Sequence, residues 1–209
     1  MADFVTIANL AASSIGEDDQ MRSPDDNSHL SRSVRAVWDL ERRAALRDHS
    51  WNFAMRRAAL PAQALDAAPI GWGFSYKLPA DCVRLIEVFD AARSAYQLEG
   101  GSVLADVTGP LRIRYIADLT EPALWDDLFV RAFAARIGFA IADRITGDRG
   151  RKDDAWIAYQ DALSQAKRVD ARENPQVAWA ATEWERARGG FGYRDGDFTA
   201  VTRDGMLFP

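Results

Sequence analysis

Cys82 is the only cysteine among 209 residues, and His29 and His49 are the only histidines. Together they define the one thiol chemistry open to the chain, a Cys82 nucleophile with His49 as its base. Nothing near Cys82 in the sequence marks it as activated, and a lone cysteine usually packs as a small hydrophobe, so structural roles are expected for both residues. One cysteine allows no intramolecular disulfide and suits a reducing compartment. Neither histidine lies in an H-E-x-x-H arrangement or near a Cys-x-x-Cys pair, which argues against zinc. Gly189-Gly190-Phe191-Gly192 lacks the Lys-Ser/Thr of a phosphate loop. Asp195-Gly196-Asp197-Phe198-Thr199 begins like a calcium loop, but Ala200 stands where its glycine is needed and Met206 where its bidentate glutamate belongs. The 31 carboxylates permit many acid/base pairs on paper, but glycoside cleavage depends on their spacing in three dimensions. The residues therefore point to no catalytic group, no cofactor and no metal site.

The elements that would have to position such groups read as one domain with a tail. Apolar residues make up 48% of the chain and seven are tryptophans, enough large surface for a core without staples. The net charge is −5 with both signs interspersed, so there is no basic footprint for tight nucleic-acid binding. Met1 to Val5 lacks the basic start and long apolar run of a signal peptide. The most apolar long segment, Leu128 to Ile145, carries Arg131, Arg136, Asp143 and Arg144, charges too costly for a bilayer centre. No membrane partner is expected.

Helical spacing of Phe4, Ile7, Leu10 and Ala11 after a candidate Asp3 cap predicts a first helix ending at Gly16. Gly16 to Asn27, with Glu17-Asp18-Asp19 and Asp25-Asp26, reads as a solvated acidic loop. Ser28 can cap a second helix whose apolar face holds Leu30, Val34, Val37, Trp38 and Ala45, with Arg42 and Arg43 opposite or beside it. It should end near His49. From Trp51 the pattern alternates, with Trp51, Phe53 and Met55 on one side, which predicts a strand; Trp72, Phe74, Tyr76 and Leu78 predict a second. Val83 to Phe89, Tyr96 to Glu99, Val103 to Val107 and Leu111 to Ile116 complete a small, mostly antiparallel sheet, on which Phe74 and Tyr76 would neighbour Trp51 and Phe53. Thr120-Glu121-Pro122 opens a long third helix from Asp126 to Thr146, broken by Gly147 and Gly150, and a fourth runs to about Glu173. After Pro175 the aromatics follow no period and read as an arm that orders against something else.

The expected fold is thus α+β: a four-helix antiparallel bundle with an inserted small, mostly antiparallel β-sheet domain and an extended C-terminal arm. Its core would be residues 1–174, with helices in 1–49 and 120–174 and the β insertion at 50–118, and the arm would be 175–209.

Five segments in order carry a resemblance: Ile7-Ala8-Asn9-Leu10, Trp51-Asn52-Phe53-Ala54, Tyr76-Lys77-Leu78-Pro79-Ala80-Asp81-Cys82, Arg112-Ile113-Arg114-Tyr115-Ile116, and Ala123-Leu124-Trp125 before an alanine-rich helix. In this order they resemble the tail tubular protein A family, the head-to-tail adaptors of short-tailed phages. The resemblance implies a non-enzymatic virion protein at the head-tail junction, made in the host cytoplasm. It implies a homo-oligomeric ring of twelve copies that joins the portal protein to the tail nozzle, or tubular protein B, and forms part of the genome ejection channel. Double-stranded DNA would pass through the bore without specific binding, past acidic groups drawn from Glu17 to Asp19, Asp126-Asp127 or Asp153-Asp154. Such a ring needs two different surfaces on each copy. Trp179, Trp184, Phe191, Tyr193, Phe198 and Phe208 are the candidate contacts with the portal or a neighbouring subunit. The alternative is a tail-associated cell-wall hydrolase.

Overall fold

The Asp3 carboxylate accepts the Thr6 N–H at 2.7 Å and so caps the first helix, α1, Phe4–Ser14. The computed structural model describes residues 2–63, 70–91 and 95–173. Helix α2, His29–Asp48, starts where Ser28 Oγ accepts the Ser31 N–H. Helix α3, Asp127–Thr146, starts at Asp126, whose carboxylate accepts the N–H groups of Leu128 and Phe129, and stops at Gly147 in the left-handed region with φ 63°. Helix α4 covers Arg149–Glu173.

Helix α3 buries Phe129, Val130, Phe133, Ile137 and Ile141, with alanines 132, 134, 135 and 142 between them. A helix that is apolar all round has to be covered all round. Helices α1, α2 and α4 do this, each packing on α3. Close approach of α1 depends on Gly138, where an added Cβ would stand 3.0 Å from the Ala11 carbonyl oxygen and press on the Ser14 hydroxyl. Helix α4 buries only Ala155, Tyr159, Ala166 and Asp170, and α3 is its one extensive helical partner.

The six strands form two sheets. In the first, β1 (Met55–Leu60), β6 (Leu111–Ala117) and β3 (Cys82–Val88) lie antiparallel in the order β1-β6-β3. In the second, β2 (Phe74–Lys77), β5 (Ser102–Ala105) and β4 (Tyr96–Glu99) lie antiparallel in the order β2-β5-β4. Gly100 and Gly101, at φ 53° and 80°, make the tight turn that closes the β4-β5 hairpin. One apolar cluster links the layers, from Ile7 and Ala11 through Trp38, Phe133 and Trp51 to Ile113, Tyr76 and Val103.

This arrangement corrects the expected four-helix bundle with one inserted sheet. The helices do not enclose a shared core as four equals; three of them surround α3, because its apolar residues occupy every side. The single sheet gives way to two because no backbone pairing links the strands of one trio to those of the other among the described residues. Strand β6 fills both of its edges with β1 and β3, and β5 fills both with β2 and β4. The chain passes between the sheets four times, and the passage from β2 to β3 is the turn in which the Cys82 N–H donates to the Pro79 carbonyl.

The strand expected from Trp51 is also corrected. Asn52–Ala54 is a single 3-10 turn, and β1 begins at Met55. Phe74 and Tyr76 are not beside Trp51 and Phe53 on a neighbouring strand. Tyr76 sits in the other sheet opposite Val103, while Trp51 and Phe53 both pack on Phe129 of α3, with ring centroids 5.0 and 4.9 Å away.

Candidate functional site

Polar groups converge where the end of α2, the 3-10 turn before β1 and the end of α4 meet. Trp51 is fully buried there, and its indole N–H donates to the Ala45 carbonyl at 2.9 Å, satisfying one of the orphan acceptors at the end of α2. Asp170, on the last turns of α4, is 9% exposed. Its carboxylate accepts the Asn52 backbone N–H at 2.9 Å and lies 3.1 Å from His49 Nε2, while the Asn52 amide donates to the Asp170 carbonyl at 2.7 Å. His49 in turn stands edge-on to Trp51, 4.9 Å between ring centroids. One residue of α4 therefore holds the hinge between helices and sheet.

A second cluster pins the middle of α4. Arg136 of α3 donates from Nε to Glu41 at 2.5 Å and from Nη1 to Asp48 and to the Tyr159 hydroxyl, both at 2.7 Å; the Tyr159 O–H donates to Asp48 at 3.0 Å. Burial pushes the Tyr159 phenol up to about 12, with the Asp48 charge adding to the rise against the opposing pull of Arg136. A third link ties α2 to the exit from β6: the buried Arg42 guanidinium donates to both oxygens of Asp118, at 3.0 and 3.2 Å.

On the sheet side, the Tyr115 hydroxyl donates to Asp81 at 3.2 Å, and Arg56 reaches the same carboxylate at 3.3 Å. Cys82 begins β3 half-buried. Burial, then the Asp81 charge, pushes its thiol up, away from the thiolate that attack requires. The only base in the sequence-level pairing, His49, is committed to Asp170. The geometry thus gives Cys82 no base through His49.

Of the acidic candidates, Asp126 is the α3 cap, and Asp153 and Asp154 lie exposed on α4. In the acidic loop, Glu17 accepts the Asp19 N–H. Among the described residues, no three His, Cys, Asp or Glu side chains are grouped so as to hold a metal ion, and no helix is long and apolar enough to cross a membrane. Trp179, Trp184, Phe191, Tyr193, Phe198 and Phe208 lie outside the described residues, as do the glycine run at 189–192 and the calcium-like segment at 195–206.

Sequence reasoning missed Asp170, Arg136 and Arg42 as organising groups, although two of them left a signal. Arg42 falls four residues after Trp38 on the stripe Leu30, Val34, Trp38, and is buried with it, not placed opposite it. Asp170 continues the buried stripe Tyr159, Ala166 at helical spacing. A charge on an apolar stripe marks a paired, buried group.

The arrangement defines an α+β protein whose joints between helices and sheets are fastened by buried polar clusters. No protein-family model matches the chain, and no curated protein matches its sequence.

Proposed function

We propose that this chain is a structural subunit of a phage virion, a head-to-tail adaptor that assembles on the portal and carries the tail nozzle. Twelve copies form the ring, the genome passes through its bore without specific binding, and no step of the work requires catalysis or a cofactor. The observation that carries this reading is where the family-like segments fall. Trp51 to Ala54 forms the hinge out of α2; Pro79 to Cys82 forms the turn from β2 to β3, one of the passages between sheets; Arg112 to Ile116 lies in the central strand of the first sheet; Trp125 stands at the entry to α3. These segments are joints and braces, the parts a load-bearing connector needs fixed.

The mechanism is mechanical. Each copy holds its first sheet against its helices through Trp51, Asp170 and Arg42, so a force on that sheet reaches the helices without bending the hinge. Repeated around a ring, a modest contact per copy becomes a strong joint, because linked copies raise one another's effective concentration. Sedimentation of the purified protein with its portal tests the reading. Co-migration at a fixed ratio of protein to portal supports it, and a protein that stays at the top of the gradient while the portal pellets overturns it.

A further inference from the structure

We propose that the outward face of the first sheet is a docking cleft for an extended acidic segment of a partner protein. The assignment stands apart from the connector reading and holds without it. Strand register places Arg57 of β1 directly opposite Arg114 of β6, and Ala59 opposite Arg112, so three guanidiniums share one face. Like charges set directly across an antiparallel pair destabilise a sheet. The fold gains nothing from that pairing.

The cations on this face are only partly answered. Arg112 is bound by Asp90 at 2.5 Å, yet its side chain is 68% exposed and that of Asp90 16%, so the cation is the outward member of the pair. Arg114 gives one nitrogen to Glu87 at 2.9 Å, while its Nε is buried with no acceptor among the described residues. Arg57 meets no carboxylate among the described residues and lies over the Phe89 ring, 5.7 Å from its centroid. Three cations stand against two carboxylates in a chain whose net charge is −5. The local excess runs against the whole.

Between Arg57, Arg112 and Phe89 lies an open cleft of about 550 Å³ that also takes in Ala59, with the strands at Ala58 and Ile113 beneath it, whose side chains alternate to the opposite face. Phe89 is 44% exposed, and among the described residues β1 is an edge strand, paired with β6 alone. Guanidiniums present paired donors that match carboxylate geometry, and an edge strand with a free side accepts extended backbone. An alternating acidic and apolar segment suits this face: its carboxylates meet Arg57 and Arg112 beside Ala59 and Phe89. Duplex DNA is disfavoured, since Ala59 and Phe89 between the guanidiniums are apolar and the overall charge repels a polyanion at long range.

Fluorescence anisotropy with a fluorescein-labelled peptide alternating Glu and Val tests this on the full chain. The wild-type protein should bind it, and Arg57→Glu should weaken binding about tenfold or more, since it removes one charge-assisted contact and adds a repulsion. Arg57→Lys should recover part of the loss, because charge returns without the planar fork. Arg57 is exposed, so both variants should keep the wild-type circular dichroism spectrum. Absence of binding by the wild type overturns the proposal. Equal binding of a Gln-Val peptide, unchanged binding by Arg57→Glu, or displacement of the peptide by duplex DNA at equal charge concentration also overturns it.

Discussion

Asn52 and Asp170 are 118 positions apart in the chain and exchange two hydrogen bonds, the Asn52 N–H to the Asp170 carboxylate and the Asn52 amide to the Asp170 carbonyl. This single pair closes the end of α4 onto the first turn after α2, where the helical layer becomes sheet. It does so with a carboxylate that is almost fully buried and, among the described residues, has no arginine or lysine paired with it. Buried charge in that position is tolerable only while its partners stay in place.

Asp170→Ala should therefore destabilise the protein by about 2–4 kcal/mol, read from urea unfolding followed by tryptophan fluorescence. The backbone N–H of Asn52 loses its acceptor in that variant. Asp170→Asn keeps an acceptor and should cost less. Equal stability of Asp170→Ala and wild type would show that the clasp is ornamental.

Asp118→Ala leaves the Arg42 guanidinium buried, with Asp39 on its own helix as the remaining partner. Removal of one member of a buried pair costs roughly 3–5 kcal/mol, and the surviving Asp39 contact should place this variant at the low end. The double change Arg42→Met with Asp118→Ala should recover much of the loss, since no charge is then stranded.

Gly138→Ala should lower stability by about 1–3 kcal/mol, because the new methyl meets α1 backbone at Ala11 and the Ser14 hydroxyl. A thermal melt reads the change. Gly100→Ala has open space around its Cβ, so any loss there reports only the positive φ of the hairpin turn.

Alkaline stability should depend on Tyr159. Its folded-state pKa is raised to about 12, so the stabilisation is complete below the ordinary phenol value of about 10 and is lost as pH rises from there to 12. The unfolded chain gives up that proton first, which favours unfolding across this window. Urea midpoints measured from pH 9 to 12 should fall with pH, and the fall should be shallower in Tyr159→Phe.

The first two helices were legible because their caps are explicit, Asp3 and Ser28 each accepting a backbone N–H, and Gly147 ends α3 as expected; the expected opening at Thr120-Glu121-Pro122 is instead a separate 3-10 turn at Pro122–Leu124, and α3 starts at its Asp126 cap. Local chemistry of that kind is written in neighbouring residues. The partition of the strands was not, since whether β2 joins β5 or β3 is decided by edges and turns far apart in sequence. Trp51 misled for a related reason. The alternation Trp51, Phe53, Met55 is what a strand would show, but the indole bond to Ala45 and the Asn52 bonds to Asp170 hold the first of these residues in a turn. The bundle failed on α3: its apolar residues imply burial on all sides, and the pattern does not say which helices supply the cover. The aromatic candidates from Trp179 to Phe208 lie outside the described residues, so the structure locates the polar clasps at Asp170, Arg136 and Arg42 and not that proposed contact.

Negative-stain electron microscopy of the purified protein mixed with its portal tests the connector reading most directly. Rings of the protein should appear on one end of the portal particles, in the same number of copies on each, even if the protein alone is monomeric. Bare portal particles beside persistent monomers, at concentrations well above those in an infected cell, would contradict it.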